Sequence, residues 1–309
     1  MKITGTFLDE ISTDIPSQNW GREEWSRDFE AMKTIGIRQV IMIRCGLGRW
    51  MTYPSHVLQK EQNAFFPSVD LVRMFLELAE IHGLEFFFGT YDSGEYWMQG
   101  LHQKEMDLNR RVVDEAWKLY GHFPAFKGWY LTHEVGRNIY GILDIYASMG
   151  KHCKALSNGL PVLISPFVDV VKAGDKVGAV KTVSAEQHEK EWDAIMQGIA
   201  GAVDIVAFQD GDIDFGELSD FLLVNKKLAD KYGLKCWTNS ETFDREMPIR
   251  FLPIKWEKLL LKLKAAQKAG YENAITFEFS HFLSPNSCYH QAHGLYRRYG
   301  EYLASHQTA

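Results

Sequence analysis

The feature that most limits the fold is an alternation. Short runs rich in apolar, β-branched and aromatic residues recur along the chain, and each is followed by a longer segment with helical spacing. The strand-like runs are Ile3 to Leu8, Gln39 to Arg44, Glu85 to Tyr91, the stretch opening at Gly128, Pro161 to Phe167, Asp204 to Phe208, Lys235 to Ser240, and Asn273 to Phe279. Helices are predicted from about Glu23 to Thr34, Val69 to Ile81, Glu105 to Tyr120, Asn138 to Leu156, Glu217 to Tyr232, Lys255 to Ala269 and Cys288 to Leu303. One more opens at the capping box Ser184-Ala185-Glu186-Gln187 and carries Trp192, Ile195 and Ile199 on one stripe. Ser68 is read as a cap, and glycines such as Gly83 and Gly233 as stops. Eight such units in strict alternation imply a parallel sheet with right-handed crossovers, and in 309 residues they fit a closed (β/α)8 barrel. An open doubly wound sheet is the competing topology, but no phosphate-binding glycine turn follows the first strand. The Gly46-Leu47-Gly48 stretch opens no helix and is read as a loop. No linker or low-complexity run divides the chain, so one domain over residues 1–309 is expected. Residues 168–183 are read as a long loop with two lysine-glycine turns.

Composition excludes several classes of partner. A net charge of -6 offers no basic field for nucleic acid and no polybasic membrane patch. No apolar run reaches the length of about 20 residues that spans a bilayer. The opening residues lack a signal-peptide hydrophobic region, so a cytoplasmic protein is expected, or a periplasmic or secreted one if a leader has been trimmed. The four cysteines (Cys45, Cys153, Cys236, Cys288) are scattered without metal-ligand spacing, and no disulfide framework, metal or other cofactor is expected.

The most informative stretch is Gly128-Trp129-Tyr130-Leu131-Thr132-His133-Glu134. Period-2 alternation sets Gly128, Tyr130, Thr132 and Glu134 on one face, and Trp129, Leu131 and His133 on the other. The first face is smaller and more polar, as the inside of a barrel with a polar mouth would be. Glu134 then stands at the C-terminal end of the fourth strand, pointing inward, where barrels place their chemistry. The structural alternative is a carboxylate that caps the next helix or pairs with Arg137. In a barrel, the other strand ends bring Asp9, Glu10, Arg44, Asp92, Gln209, Asp210, Glu241 and Glu278 around the same mouth. Trp50, Tyr91, Trp97, Tyr130, Phe167 and Trp237 ring it. Carboxylates among aromatics suit a neutral polyhydroxylated ligand, because sugars present apolar CH faces to rings and hydroxyls to polar groups.

Glycoside hydrolysis needs one carboxyl that protonates the leaving oxygen and a second that attacks the anomeric carbon or activates water. Glu134 and Glu241, from the fourth and seventh strands, face each other across the mouth and fill those roles. Arg44, Asp92, Gln209, Asp210 and Glu278 are candidate hydroxyl-binding groups, with Trp50, Tyr91, Tyr130 and Trp237 as candidate contacts for a sugar face. Asp210 or Glu278 could replace Glu241.

Carboxylates at these two strand ends resemble the cellulase-like clan of retaining glycoside hydrolases. That resemblance implies that Glu134 is the acid/base and Glu241 the nucleophile. Gly128-Trp129-Tyr130 leading to Glu134, with Phe208-Gln209-Asp210-Gly211, looks more specifically like an uncharacterised glycosidase-like barrel family, domain of unknown function 4434. Where the clan carries Asn before the acid/base, this chain has His133, and near the clan's eighth-strand Trp it has Glu278 and Phe279. Other chemistries fit worse. A metal site from His133, Glu134, His281 and Glu278 lacks HExxH or His-x-His spacing. No GxSxG elbow marks a serine nucleophile, and Cys45 and Cys236 sit in or beside buried strands. The turns after the seventh and eighth strands lack the glycines of a phosphate site. The expectation is a glycoside hydrolase acting on an oligo- or polysaccharide with retention. The rival is a barrel that binds glycans without turnover.

Overall fold

A computed structural model describes residues 1–13, 15–170, 183–245 and 251–306. Eight strands form a closed barrel: β1 Ile3–Leu8, β2 Gln39–Met42, β3 Glu85–Gly89, β4 Phe126–Leu131, β5 Val162–Ile164, β6 Ile205–Gln209, β7 Lys235–Asn239 and β8 Asn273–Thr276. Each is hydrogen-bonded in parallel to its sequence neighbours, and β1 closes the ring on β8 through Gly5↔Ile275 and Thr6↔Thr276. The surrounding helices are α1 Arg22–Thr34, α2 Leu71–His82, α3 His102–Tyr120, α4 Ile142–Leu156, α5 Ala185–Ile199, α6 Leu218–Tyr232, α7 Trp256–Lys268 and α8 His290–Ser305. The expected (β/α)8 barrel is the observed fold.

Strand periodicity explains how the barrel fills. Ile41, Phe87, Tyr130, Ile205 and Ala207 belong to the cluster inside the barrel. Their neighbours Val40, Met42, Phe86, Phe88, Trp129, Leu131 and Val206 join the layer between strands and helices. Away from the strand ends both faces are buried, which is why these runs read as nearly continuous apolar sequence. Two glycines mark close approaches. A Cβ on Gly128 would lie 2.2 Å from the Phe87 ring, which occupies the inner space beside it. A Cβ on Gly89 would lie 2.2 Å from the carbonyl oxygen of Met42 and 2.7 Å from the amide of Arg44.

Several boundaries depart from the sequence expectation. Asp70, not Ser68, caps α2, accepting from the Arg73 amide at 2.9 Å. Asp70 also accepts from the Tyr120 hydroxyl at 2.8 Å, an anchor to α3 that Ser68 lacks. Helix α4 begins at Ile142 because Tyr140 and Gly141 take left-handed backbone angles. Gly46-Leu47 and Trp50-Met51 form a β-hairpin rather than a loop, with Gly48 at φ 54° in its two-residue turn. An extra short helix, His56–Gln62, follows it. Strand β8 ends at Thr276, the Phe277–Glu278 peptide is cis, and Phe279–Phe282 is a short helix capped by Glu278. Most of the expected 168–183 loop lies outside the described residues. Among the described residues no helix is long and apolar enough to cross a membrane.

At Gly89 the neighbours of an added methyl are backbone atoms, which cannot rotate away. Gly89→Ala is expected to cost at least about 3 kcal/mol of stability, measured as a fall in the urea midpoint at unchanged slope. A midpoint equal to the wild type would show that β2 and β3 separate freely there.

Candidate active site

The C-terminal ends of the strands surround a cavity of about 340 Å³. Ser12, Thr13 and Ile15 wall it after β1, Ile43 and Arg44 after β2, and Leu47 on the hairpin. Glu134 enters after β4, Gln209 at the end of β6, and Glu241, Phe243 and Arg245 after β7. Phe251 and Phe277 also line it. Of the residues expected at the site, the structure brings Arg44, Glu134, Gln209 and Glu241 into the lining.

Glu134 continues the inward register of β4. Its Oε1 accepts a hydrogen bond from the Tyr130 hydroxyl at 2.6 Å. Burial pushes its carboxyl above the usual value, while Arg44, Tyr130 and Gln209 oppose that shift by favouring the ionised form. Arg137 does not pair with Glu134; its Nε donates to Glu191 on α5 at 2.7 Å. Burial works against the charge of Arg44, but Glu134, Asp9 and Asp92 outweigh it and raise its pKa. Arg44 is therefore a fixed cation between carboxylates at the cavity wall.

Glu241 sits in a different environment. Arg245 grips it with both arms of the guanidinium, Nε to Oε2 at 2.9 Å and Nη2 to Oε1 at 2.8 Å. Phe243 lies against the same guanidinium, 5.0 Å away. The Glu241 carboxylate packs directly on Gly211, where a Cβ would fall 1.7 Å from Oε2. Only glycine leaves that space, which gives the Gly211 of the sixth-strand motif a physical role.

The remaining expected residues lie elsewhere. Asp210 does not face the cavity. Its Oδ1 accepts from Lys262 of α7 at 2.7 Å and from the Glu241 amide at 3.0 Å. Burial raises the Asp210 carboxyl and Lys262 pulls it back, so this ion pair is a buried peg behind Glu241. Asp92 accepts from the Trp97 indole at 2.8 Å. Tyr91 is fully buried, its hydroxyl donating to the Gly48 carbonyl at 2.7 Å. Trp237 and Tyr130 are packed inside the barrel, beneath the cavity rather than beside it. Trp50 is exposed on the hairpin. His133 faces away from the cavity: its Nε2 meets Glu105 Oε1 at 2.9 Å, and its carbonyl accepts from the Tyr146 hydroxyl. Asp92, Glu105 and His133 bring potential metal-ligand atoms within 4.8 Å of one another. Glu105 Oε1 there is already engaged by the Ser93 amide and the Asn109 side chain.

Glu278 is a structural cap. Its oxygens accept from the Ser280 and His281 amides at 2.7 and 2.6 Å and meet His281 Nδ1 at 2.7 Å. The sequence reading missed Phe277, Phe243, Phe251 and Arg245, all on segments beyond the strand ends. Phe277 was legible as the neighbour of Glu278 near the clan's aromatic position; for Arg245 the spacing Glu241-x3-Arg245 was the available signal.

Two glutamates and two arginines lining one cavity at the strand ends define a (β/α)8-barrel protein with a candidate active site at its mouth. Within that class the chain belongs to the domain of unknown function family DUF4434, whose pattern matches residues 3–289. It is similar to a "putative alpha-L-fucosidase" from Bacteroides thetaiotaomicron, at 58% identity over 97% of this chain and 95% of that one, with a TM-score of 0.94. In fold alone it resembles an endo-1,4-beta-D-mannanase from Thermotoga petrophila, at 10% identity, TM-score 0.57, 89% of this chain and 87% of that one. It likewise resembles the catalytic domain of a beta-amylase from Paenibacillus polymyxa, at 10% identity, TM-score 0.55, 96% of this chain and 97% of that one. No curated protein matches the chain.

Behind β8, burial raises the Asp28 carboxyl from 3.8 to about 7 against the hydrogen bonds of Ser284, Ser280 and Asn286. Burial would lower His281, but Glu278, the Pro16 carbonyl and Glu10 lift it from 6.5 to about 9. Both folded-state values lie above the unfolded ones, so both groups favour folding most when protonated. The Asp28 contribution is complete below pH 3.8 and lost as pH rises through 7. That of His281 is complete below pH 6.5 and lost as pH rises through 9. Asp28→Asn removes the first alone. Its Tm relative to wild type is therefore expected to climb between about pH 4 and pH 7 and level off above. A difference independent of pH would show that Asp28 titrates normally.

Proposed function

We propose that the protein hydrolyses a glycosidic bond, with Glu134 as general acid/base and Glu241 as nucleophile. The observation that carries this reading is the pair of lining carboxylates with unlike environments. Glu134 is buried against a phenol that donates to it, and Glu241 is gripped by a guanidinium. Burial pushes the Glu134 carboxyl above its usual value, toward the protonated form a general acid needs. In the first step Glu134 gives its proton to the leaving oxygen as a Glu241 oxygen bonds to the anomeric carbon. In the second, Glu134 takes a proton from water, whose oxygen displaces Glu241 with net retention. Each Glu241 oxygen holds one Arg245 hydrogen bond and keeps a second lone pair, which is the one that attacks. Arg44 lines the cavity as a donor for substrate hydroxyls, Gln209, whose Nε2 donates to the Ser165 carbonyl at 2.9 Å, offers its side-chain oxygen, and Phe277 offers an apolar face. The 58% identical relative makes an α-L-fucoside the first substrate to try.

One observation favours a second reading, a glycan-binding barrel without turnover: both Glu241 oxygens are engaged by Arg245. The deciding assay is product release from aryl glycosides and oligosaccharides, beginning with 4-nitrophenyl α-L-fucopyranoside. Glu134→Gln is expected to lower turnover at least about a hundredfold with ligand affinity kept. Turnover that survives this change sinks the acid/base assignment. Binding by a wild type that releases no product favours the binding module.

The Tyr130 hydroxyl supports the ionised form of Glu134. Tyr130→Phe removes that support, so the pKa of Glu134 rises further. The alkaline limb of the kcat/KM profile is then expected to move to higher pH, because the acid stays protonated longer. A limb that stays in place, or moves to lower pH, means that another group carries it.

A further inference from the structure

The hairpin beside the cavity carries an exposed aromatic pair that none of the strand-end chemistry uses. Trp50 is 60% exposed and Phe65 46%. Their rings lie 5.2 Å apart, and the Arg49 guanidinium covers Phe65 at 4.4 Å. The pair is held firmly. The Phe65 amide donates to the Arg49 carbonyl at 2.8 Å, and Arg49 Nε donates to the Asn63 carbonyl at 3.0 Å. The hairpin is itself the middle and edge of a three-stranded sheet, with Gly46 paired to Tyr91 and Leu47 to Asp92 at the end of β3. Two adjoining aromatic rings, both exposed beside the cavity mouth, make an apolar surface that a ligand can cover.

Its position says which one. Leu47 lines the cavity and is the cross-strand partner of Trp50. Directly opposed residues of an antiparallel pair project from the same face. Trp50 therefore stands one strand further out on the face that Leu47 turns to the cavity. A volume of about 340 Å³ is at the low end for ligand sites, so a glycan of several residues outgrows it. Any longer glycan must continue over the rim. Resting on the glycosidase reading of the cavity, we propose that Trp50 and Phe65 form a stacking subsite for the second residue of an oligosaccharide whose terminal residue fills the cavity. The protein then acts at glycan chain ends, and Trp50 sets its preference for oligosaccharides over simple glycosides. The apolar CH face of a pyranose packs on the indole, and the rim leaves its hydroxyls in water.

The test compares wild type and Trp50→Ala on two substrates of the sugar that the wild type turns over. One is its glycosyl fluoride, which leaves the rim empty; the other is a trisaccharide ending in that sugar. The ratio of kcat/KM for trisaccharide over fluoride is expected to fall about tenfold in Trp50→Ala, through KM. An unchanged ratio overturns the subsite while leaving the hydrolase reading intact. Retention of Glu134→Gln on an array of immobilised oligosaccharides gives a readout that needs no turnover, and adding Trp50→Ala is expected to weaken it by a similar factor. Array binding that ignores Trp50 overturns the proposal even if hydrolysis is seen, and so does an array that binds nothing. A concentration-dependent dimer in sedimentation that Trp50→Ala abolishes, with glycan binding unchanged, would assign the aromatic pair to a second copy of the chain.

Discussion

The closure of β1 onto β8 is the constraint on which the rest depends. Parallel strands with side-chain period 2 give each position only two directions, into the barrel or toward the helices. Once the ring closes through Gly5 and Ile275, no strand can slip by one residue without exchanging its two faces. That fixes Tyr130 inside the barrel and carries the same register on to Glu134 at the rim. The inside is narrow, so the register also demands small residues where a large neighbour intrudes. Gly128 beside Phe87 is the case nearest the site.

The strand ends are held by polar pegs placed behind the cavity rather than in it. A buried charge is tolerated only when it is paired and hydrogen-bonded, and removing one partner then leaves a costly orphan. Lys262 and Asp210 are 4% and 2% exposed, and between them they bind the amide and the carbonyl of Glu241. His133 and Glu105 do the equivalent behind Glu134, with Tyr146 on the His133 carbonyl. Glu278 and His281 fix the exit from β8, and Asp28 ties that exit to α1 through Ser280 and Ser284. Asp210 and Glu278, two of the carboxylates that look like site residues by their place in the chain, are thus scaffolding for the segments that present the site.

This division explains what was legible in the sequence. The barrel is readable because apolar runs and helical spacing are local and repeat eight times. Glu134 and Glu241 are readable because inward register and strand ends follow from those runs. Asp210 and Glu278 look equivalent to them in one dimension. What separates the four is which element supplies a partner: Lys262 arrives from α7, and Glu278 bonds to amides that exist only because the chain turns sharply after Phe277. The same holds for Trp237 and Tyr91. Aromatic composition marks them as possible sugar contacts, but depth within the barrel is a tertiary property. The hairpin that lifts Trp50 to the rim depends on pairing with Tyr91 and Asp92, far from it in sequence. His133 departs from the clan's Asn for a related reason: its side chain is on the helix side, bonded to Glu105, where no sugar reaches it.

The lining also constrains the chemical nature of the ligand. Among the described residues its ionisable side chains are Arg44, Glu134, Glu241 and Arg245, two of each sign. Such a cavity focuses no single-sign field, unlike sites that recruit phosphates or other ions by steering. What it offers is a set of directional donors and acceptors at Arg44, Gln209 and Glu134, with apolar contact from Ile43, Leu47, Phe243, Phe251 and Phe277. A neutral polyol matches that combination, since each hydroxyl both donates and accepts and its ring carries apolar faces. The charge balance has a further consequence for chemistry. On the proposed hydrolase reading, an oxocarbenium-like centre would develop between the two glutamates; Arg245 is the only described lining cation bound directly to one of them, so its grip on Glu241 would then set how much negative charge that carboxylate brings to the reacting carbon.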